Sequence, residues 1–208
     1  MDHEFELILV GPDRDLCAAW TKCFVGFPRV TIVASKFQDL PAFDCMVSAA
    51  NSFGLMDGGV DAAISRFFGD DLARDVRRRI LAEYRGEQPV GTSMIVETGH
   101  PRHPFIAHTP TMRVPMTIAR TDNVYRAMWG MLLAVDAHNR TASKPIRIVA
   151  CPGLGTATGR VPYTEAARQM ALAYRNFLFP PEDLHWGVAD ERQREIRYGG
   201  DFGLELVP

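Results

Sequence analysis

The stretch VSAANSFGLMDGGVDAAI, residues 47–64, decides how this chain is read. It completes a near-continuous apolar run, FDCMVSAA (43–50), in which no polar position alternates with the apolar ones. A run of this kind is a strand covered on both faces, as in a parallel sheet. It ends in Asn51, passes through Gly58 and Gly59, and re-enters an apolar-periodic segment, GVDAAISRFFG, that reads as a helix closed by Gly69. The design recurs once. PIRIVACPGLG (145–155) is an apolar strand ending in glycines, followed by the helix YTEAARQMALAYRNFLF.

Working outward, FELILV (5–10) and RVTIVA (29–34) read as strands, separated by RDLCAAWTKCF with apolar residues at helical spacing and Asp13 as its N-cap. DDLARDVRRRILAEYRG carries Leu72, Val76, Ile80 and Tyr84 on one stripe, with Gly86 as the expected C-cap. TSMIVET (92–98) and PFIAHTPTM (104–112) are strands. TDNVYRAMWGMLLAVDAHN (121–139) is a long helix capped by Thr121 or Asp122. Strands alternating with helices predict a three-layer α/β/α domain with a mixed, mostly parallel central sheet. The domain is expected over residues 1–180. Residues 181–208 form an extension, helical around EDLHWGVADERQREI and then a loose tail.

Composition removes several classes. Lys and Arg total 23 against 25 for Asp and Glu, which argues against a general nucleic-acid surface or an anionic-membrane partner. The basic run RDVRRRI (74–80) is interleaved with Asp70, Asp71 and Asp75 and reads as a solvated helix face. No stretch approaches the ~20 apolar residues of a membrane span. The acidic start MDHEFELILVGPD lacks the features of a signal peptide, so a cytoplasmic protein is expected. The four cysteines form no CxxC pair and the six histidines lack ligand spacing, so no metal is expected and the thiols are expected buried and reduced.

In open α/β sheets ligands bind outside the carboxyl ends of the strands, where both glycine loops fall. Glycines ahead of a helix let backbone N–H groups approach an anion, with the helix dipole adding attraction. MDGGVD supplies Gly58 and Gly59, and PGLGTATGRVP supplies Gly153, Gly155 and Gly159 with Thr156 and Thr158. Two such loops side by side can clamp a diphosphate, whereas one alone reads rather as a tight turn needing φ > 0. Neither is a P-loop or a dinucleotide fingerprint, so no cofactor is expected. Asn51, able to donate and accept at once, stands ten residues before Asp61, an acid at a helix start.

SAAN (48–51), GGVDAAI (58–64), FIAHTP (105–110) and PGLGTATGRVP (152–162), together with the ten-residue step from Asn51 to Asp61, resemble the macro domain, an ADP-ribose-binding α/β fold. The resemblance spans roughly residues 5–180. It implies that Asn51, after Ala50, binds the distal ribose, and that Gly58, Gly59 and Val60 line the first phosphate loop. The second phosphate loop would run through Gly153, Leu154, Gly155, Thr156, Ala157, Thr158 and Gly159. Asp61 matches the acid that hydrolytic members use to position or activate water. Asp39, with Asp44 as second choice, would bind the adenine amino group.

Departures mark a divergent member: Ser48 replaces the first Asn of N-A-A-N, Met56 and Asp57 stand where glycines are usual, and Ala157 and Arg160 replace glycines in the second loop. Arg160 has the geometry to pair with a phosphate, and Phe53 to stack on a base or ribose or simply to pack its loop. His108 reads as a hydrogen-bonded core histidine, Trp129 as core, and Arg113 as either a loop residue over the site or a plain connection. The partner implied is ADP-ribose or an ADP-ribosylated substrate, with hydrolysis of an ADP-ribosyl linkage. The alternatives are a non-catalytic binding module and an ADP-ribose 1″-phosphate phosphatase.

Overall fold

The computed structural model describes residues 5–196. β1 (Glu6–Val10), β2 (Val30–Val33), β3 (Cys45–Asn51), β4 (Met94–Glu97), β5 (Phe105–Met112) and β6 (Ile148–Cys151) form one six-stranded sheet in the order β2-β1-β6-β3-β5-β4. All neighbours are parallel except β4 and β5. The helices are α1 (Arg14–Cys23), α2 (Gly59–Phe68), α3 (Asp70–Tyr84), α4 (Asn123–Thr141), α5 (Tyr163–Leu178) and α6 (Trp186–Ile196).

The central strand β3 shows why both faces had to be apolar. Cys45 and Val47 join Trp20, Met128, Met131, Met170 and Tyr174 on the layer of α1, α4 and α5. Met46 joins Ile64, Leu72, Val76 and Ile80 on the layer of α2 and α3. Strand periodicity then turns Ser48 toward α2, where Asp61 lies. Beyond it, Pro110 of β5 stands opposite Ala50, and the register shifts between Ala50 and Asn51. Proline has no N–H to give the ladder, so pairing breaks there. The Thr111 hydroxyl donates to Ala50 O at 3.3 Å instead.

Several local expectations are sharpened. Asp13 caps α1, its Oδ1 accepting from the N–H groups of Asp15 and Leu16. Helix α3 ends on Arg85 rather than Gly86. Arg85 takes the left-handed position at φ 57, Gly86 follows at φ 100, and the Gly86 N–H reaches Ile80 O at 3.2 Å. Asp122 precedes α4 without side-chain capping, because its buried carboxylate receives Arg126 Nε at 2.8 Å. Trp129 is only partly buried, with the Arg192 guanidinium of α6 5.5 Å from its ring centroid. α6 is tied to α5 by Arg175 to Glu195 and by Arg168 to the carbonyls of Glu195 and Ile196. The tail beyond Ile196 expected from sequence lies outside the described residues.

Arg74, Arg78 and Arg79 pair with Asp71, Asp75 and Glu83 along α3, which makes the basic run a solvated face. Cys17, Cys45 and Cys151 are buried free thiols, and Cys23 is half-buried and free. No helix among the described residues is long and apolar enough to cross a membrane, and they contain no cluster of potential metal ligands.

Candidate functional site: a cleft across the strand ends

A cleft of about 520 Å³ opens over the carboxyl ends of β1, β2, β3 and β6. One wall is α2, presenting Gly59, Val60, Ala63 and Arg66 at helical spacing, with 35–38 beside it. The other is the N-terminus of α1 with Asp13 and Leu16, the loop 152–159, and Tyr163 at the start of α5. Both glycine loops face into the same space, as the parallel topology requires of segments that follow β3 and β6.

The loops owe their shapes to glycine. Gly59 sits at φ 55 and Gly155 at φ 68, in the left-handed region that side chains rarely occupy. A Cβ on Gly159 would lie 2.5 Å from Gly155 O, so the second loop is closed too tightly for any other residue. Its internal bonds run from Val161 N–H to Gly155 O at 3.1 Å and from Thr156 Oγ1 to Gly153 O at 3.2 Å.

Asp61 lies in the first turn of α2 with 5% of its surface exposed, yet it lines the cleft. Its Oδ1 accepts from the Ser48 hydroxyl at 2.6 Å. Burial pushes its carboxyl up to about 6, with the Ser48 hydrogen bond opposing and the Asp57 charge adding to the rise. A carboxylate poised there ionises near neutrality, the range in which an acid or base exchanges protons most usefully.

Asn51 also lines the cleft, and its amide is largely spent on its own loop. Oδ1 accepts from the N–H groups of Phe53 and Leu55 at 3.0 and 3.3 Å, and Nδ2 donates to Leu55 O at 2.8 Å. Both carbonyl lone pairs are therefore used and one N–H remains for a ligand oxygen. The two-way recognition expected from sequence is reduced to donation.

Of the residues expected at the site, the cleft is lined by Ala50, Asn51, Gly58, Gly59, Val60, Asp61, Gly153, Gly155, Thr156, Ala157, Thr158 and Gly159. Five others are not among its lining. Asp39 is exposed at the end of a short 3₁₀ turn. Asp44 accepts from the N–H groups of Arg147 and Ile148 at the amino ends of the strands, the opposite edge of the sheet. Phe53 lies beneath the Arg113 guanidinium at 5.8 Å, which is itself held by Glu87. Leu154 is fully buried in the layer of α1, α4 and α5, and Arg160 is exposed at φ 53 outside the cleft. His108 is buried and pushed down to about 3 by desolvation, with Nδ1 2.7 Å from Gln88 Oε1.

Sequence reasoning missed Lys36, Arg66 and Tyr163, which line the cleft, and the pairing of Ser48 with Asp61. Asp13 was seen only as a cap. Its second oxygen accepts from the Tyr163 hydroxyl at 2.9 Å, across 150 residues of chain. The GPD turn at a strand end was the one signal available for it.

Comparison with known proteins agrees with this geometry. The family model of the macro domain matches residues 47–170. An uncharacterised Aquifex aeolicus protein is 32% identical over 148 residues, covering 71% of this chain and 82% of the relative. An uncharacterised Aeropyrum pernix protein is 29% identical over 153 residues, covering 73% and 74%. Among solved structures, the macrodomain of Mycobacterium tuberculosis DarG superimposes with a TM-score of 0.57 at 18% identity, over 68% of this chain and 88% of that one. A mutant Oceanobacillus iheyensis macrodomain with ADPR gives 0.57 at 19% identity, over 79% and 89%. With the strand order, the paired glycine loops and the matched residues in agreement, the chain belongs to the macro-domain family.

Proposed function

We propose that the cleft binds ADP-ribose and that the protein hydrolyses an ADP-ribosyl linkage, with Asp61 as the general base. The observation that carries this reading is Asp61 itself, a carboxylate shielded from bulk water, held by Ser48 and opening onto the space between the two glycine loops. The solved macrodomain with ADPR, similar in fold, supports the ligand class. With the diphosphate between the loops, the Asn51 N–H donates to the distal ribose. Asp61 takes a proton from a water as its oxygen attacks the anomeric carbon. The bond to the acceptor breaks, and the acceptor leaves with the proton that Asp61 returns. With its pKa near 6, Asp61 is ionised in most molecules at neutral pH, the state a base requires.

A binding module without turnover is the second reading, favoured by the commitment of Asn51 to its own turn. Calorimetry with ADP-ribose, followed by wild type and Asp61→Asn against substrates ADP-ribosylated on protein side chains, nucleic-acid bases and as the 1″-phosphate, separates these. Hydrolysis lost in the variant with binding retained supports the base. Binding without any turnover identifies the module, phosphate release alone identifies a phosphatase, and no binding sinks all three.

A further inference from the structure

Lys36 and Arg66 line the cleft as exposed side chains. Neither makes an ion pair or a side-chain hydrogen bond among the described residues, not even with Asp39 of the turn that follows Lys36. The fold brings the two together from distant segments. Phe37, next to Lys36, meets Phe67, next to Arg66, edge to face with ring centroids 5.5 Å apart. The two cations therefore flank one contact, where the chain leaving β2 meets the second half of α2. The carboxylates that line the cleft, Asp13, Asp57 and Asp61, stand elsewhere. Asp13 is on the facing wall, its Oδ2 accepting from the Tyr163 hydroxyl at 2.9 Å, and Asp57 and Asp61 flank the start of α2.

This positive corner is not where the diphosphate goes. The glycine loops offer the diphosphate the N–H groups at the start of α2, and Arg66 lies seven residues beyond Gly59, about 10 Å along the axis at ~1.5 Å per residue. If one ribose sits at Asn51, the nucleoside half of the ligand extends to the other end of the cleft, over β1 and β2, where the two cations stand. On that second ribose C1′ carries the base and C5′ leads to the diphosphate. Its 2′-hydroxyl is thus the ring hydroxyl farther from the diphosphate and nearer the positive corner. We propose that Lys36 and Arg66 bind a phosphate monoester on that 2′-oxygen, making the cleft selective for 2′-phosphorylated ADP-ribose over ADP-ribose. The proposal rests on the ADP-ribose reading above. Arg presents a planar fork that matches phosphate oxygens, and Lys adds a compact point charge. In dinucleotide-binding α/β folds an Arg near the ribose accommodates the same group. An unphosphorylated ribose leaves both charges in water, so ADP-ribose itself binds without them.

Both side chains are exposed, so Lys36→Gln and Arg66→Gln keep the fold. Calorimetry at low ionic strength compares ADP-ribose with ADP-ribose 2′-phosphate on wild type, each variant and the double variant. Wild type should bind the 2′-phosphate about tenfold more tightly, the gain shrinking as added salt screens it. Each single variant should lose several-fold for the 2′-phosphate and stay within about twofold for ADP-ribose, and the double variant should bring the ratio to about one. Arg66 also stands in the last turn of α2, where a cation favours the helix dipole; that role alone would move stability and leave the ratio unchanged. No preference in wild type, or a preference that survives in the double variant, would overturn the assignment while leaving the ADP-ribose reading intact. Equal losses for both nucleotides would overturn it as well, because the cations would then serve the diphosphate. Failure of wild type to bind either nucleotide would overturn both readings.

Discussion

The Ser48 hydroxyl donates to Asp61 Oδ1 at 2.6 Å between a residue with no exposed surface and one with 5%. This bond joins the middle of the sheet to the wall of the cleft. It also sets up a conflict between stability and the proposed chemistry. A neutral carboxyl would suit the buried position, whereas a base must be ionised.

The conflict is measurable. The folded pKa of about 6 exceeds the ~3.9 of an unfolded aspartate, so the folded state holds the proton through that window. Stability from this group therefore falls as pH rises from about 4 to about 6, and the penalty is complete above. Asp61→Asn removes it while keeping an acceptor for Ser48. Urea denaturation should show the variant more stable at pH ~7.5 by up to about 3 kcal/mol, with the difference vanishing near pH ~4. Hydrolysis, where present, should be lost.

His108 pulls the other way. Its Nδ1 donates to Gln88 Oε1, since Gln88 Nε2 is turned to His108 O and Thr92, and Nε2 has no partner among the described residues. Burial pushes the imidazole down to about 3, against ~6.5 unfolded. Its contribution is complete above pH ~6.5 and is lost as pH falls toward ~3, about 2 kcal/mol by pH ~5. His108→Asn can still donate to Gln88. It should be less stable at neutral pH but show a flatter decline in denaturation between pH ~7 and ~5.

The two glycines of the loops should differ sharply when given a methyl group. Gly159→Ala drives its Cβ into Gly155 O and Ile118, so thermal denaturation should show a loss of several kcal/mol, in the range of overpacked sites. Gly58→Ala meets nothing within 4 Å at φ −131, so stability should change by less than about 1 kcal/mol. Because Gly58 lines the cleft, ADP-ribose affinity should still fall several-fold in calorimetry.

Arg160 should prove dispensable for the ligand. It is exposed at φ 53 and lies outside the cleft, where a glycine relieves backbone strain. Arg160→Gly should raise the unfolding free energy by roughly 0.5–1 kcal/mol and leave ADP-ribose affinity within about twofold.

The apolar runs at 43–50 and 145–151, the glycine loops after them and the helical stripes of α2, α3 and α5 could all be read without coordinates. Each is a local consequence of burial on two faces, of left-handed backbone, or of helical period. They determine an α/β sheet with its ligand end known. What only the tertiary structure decided is which acids reach that end: Asp13 rather than Asp39, and Asp61 held by Ser48 rather than left to the helix dipole. It also decided that Asn51 spends most of its amide on its own turn. Short-range patterns set the path of the backbone, but hydrogen bonds between side chains depend on ångström-scale distances between distant segments. Those distances are fixed only when the layers pack.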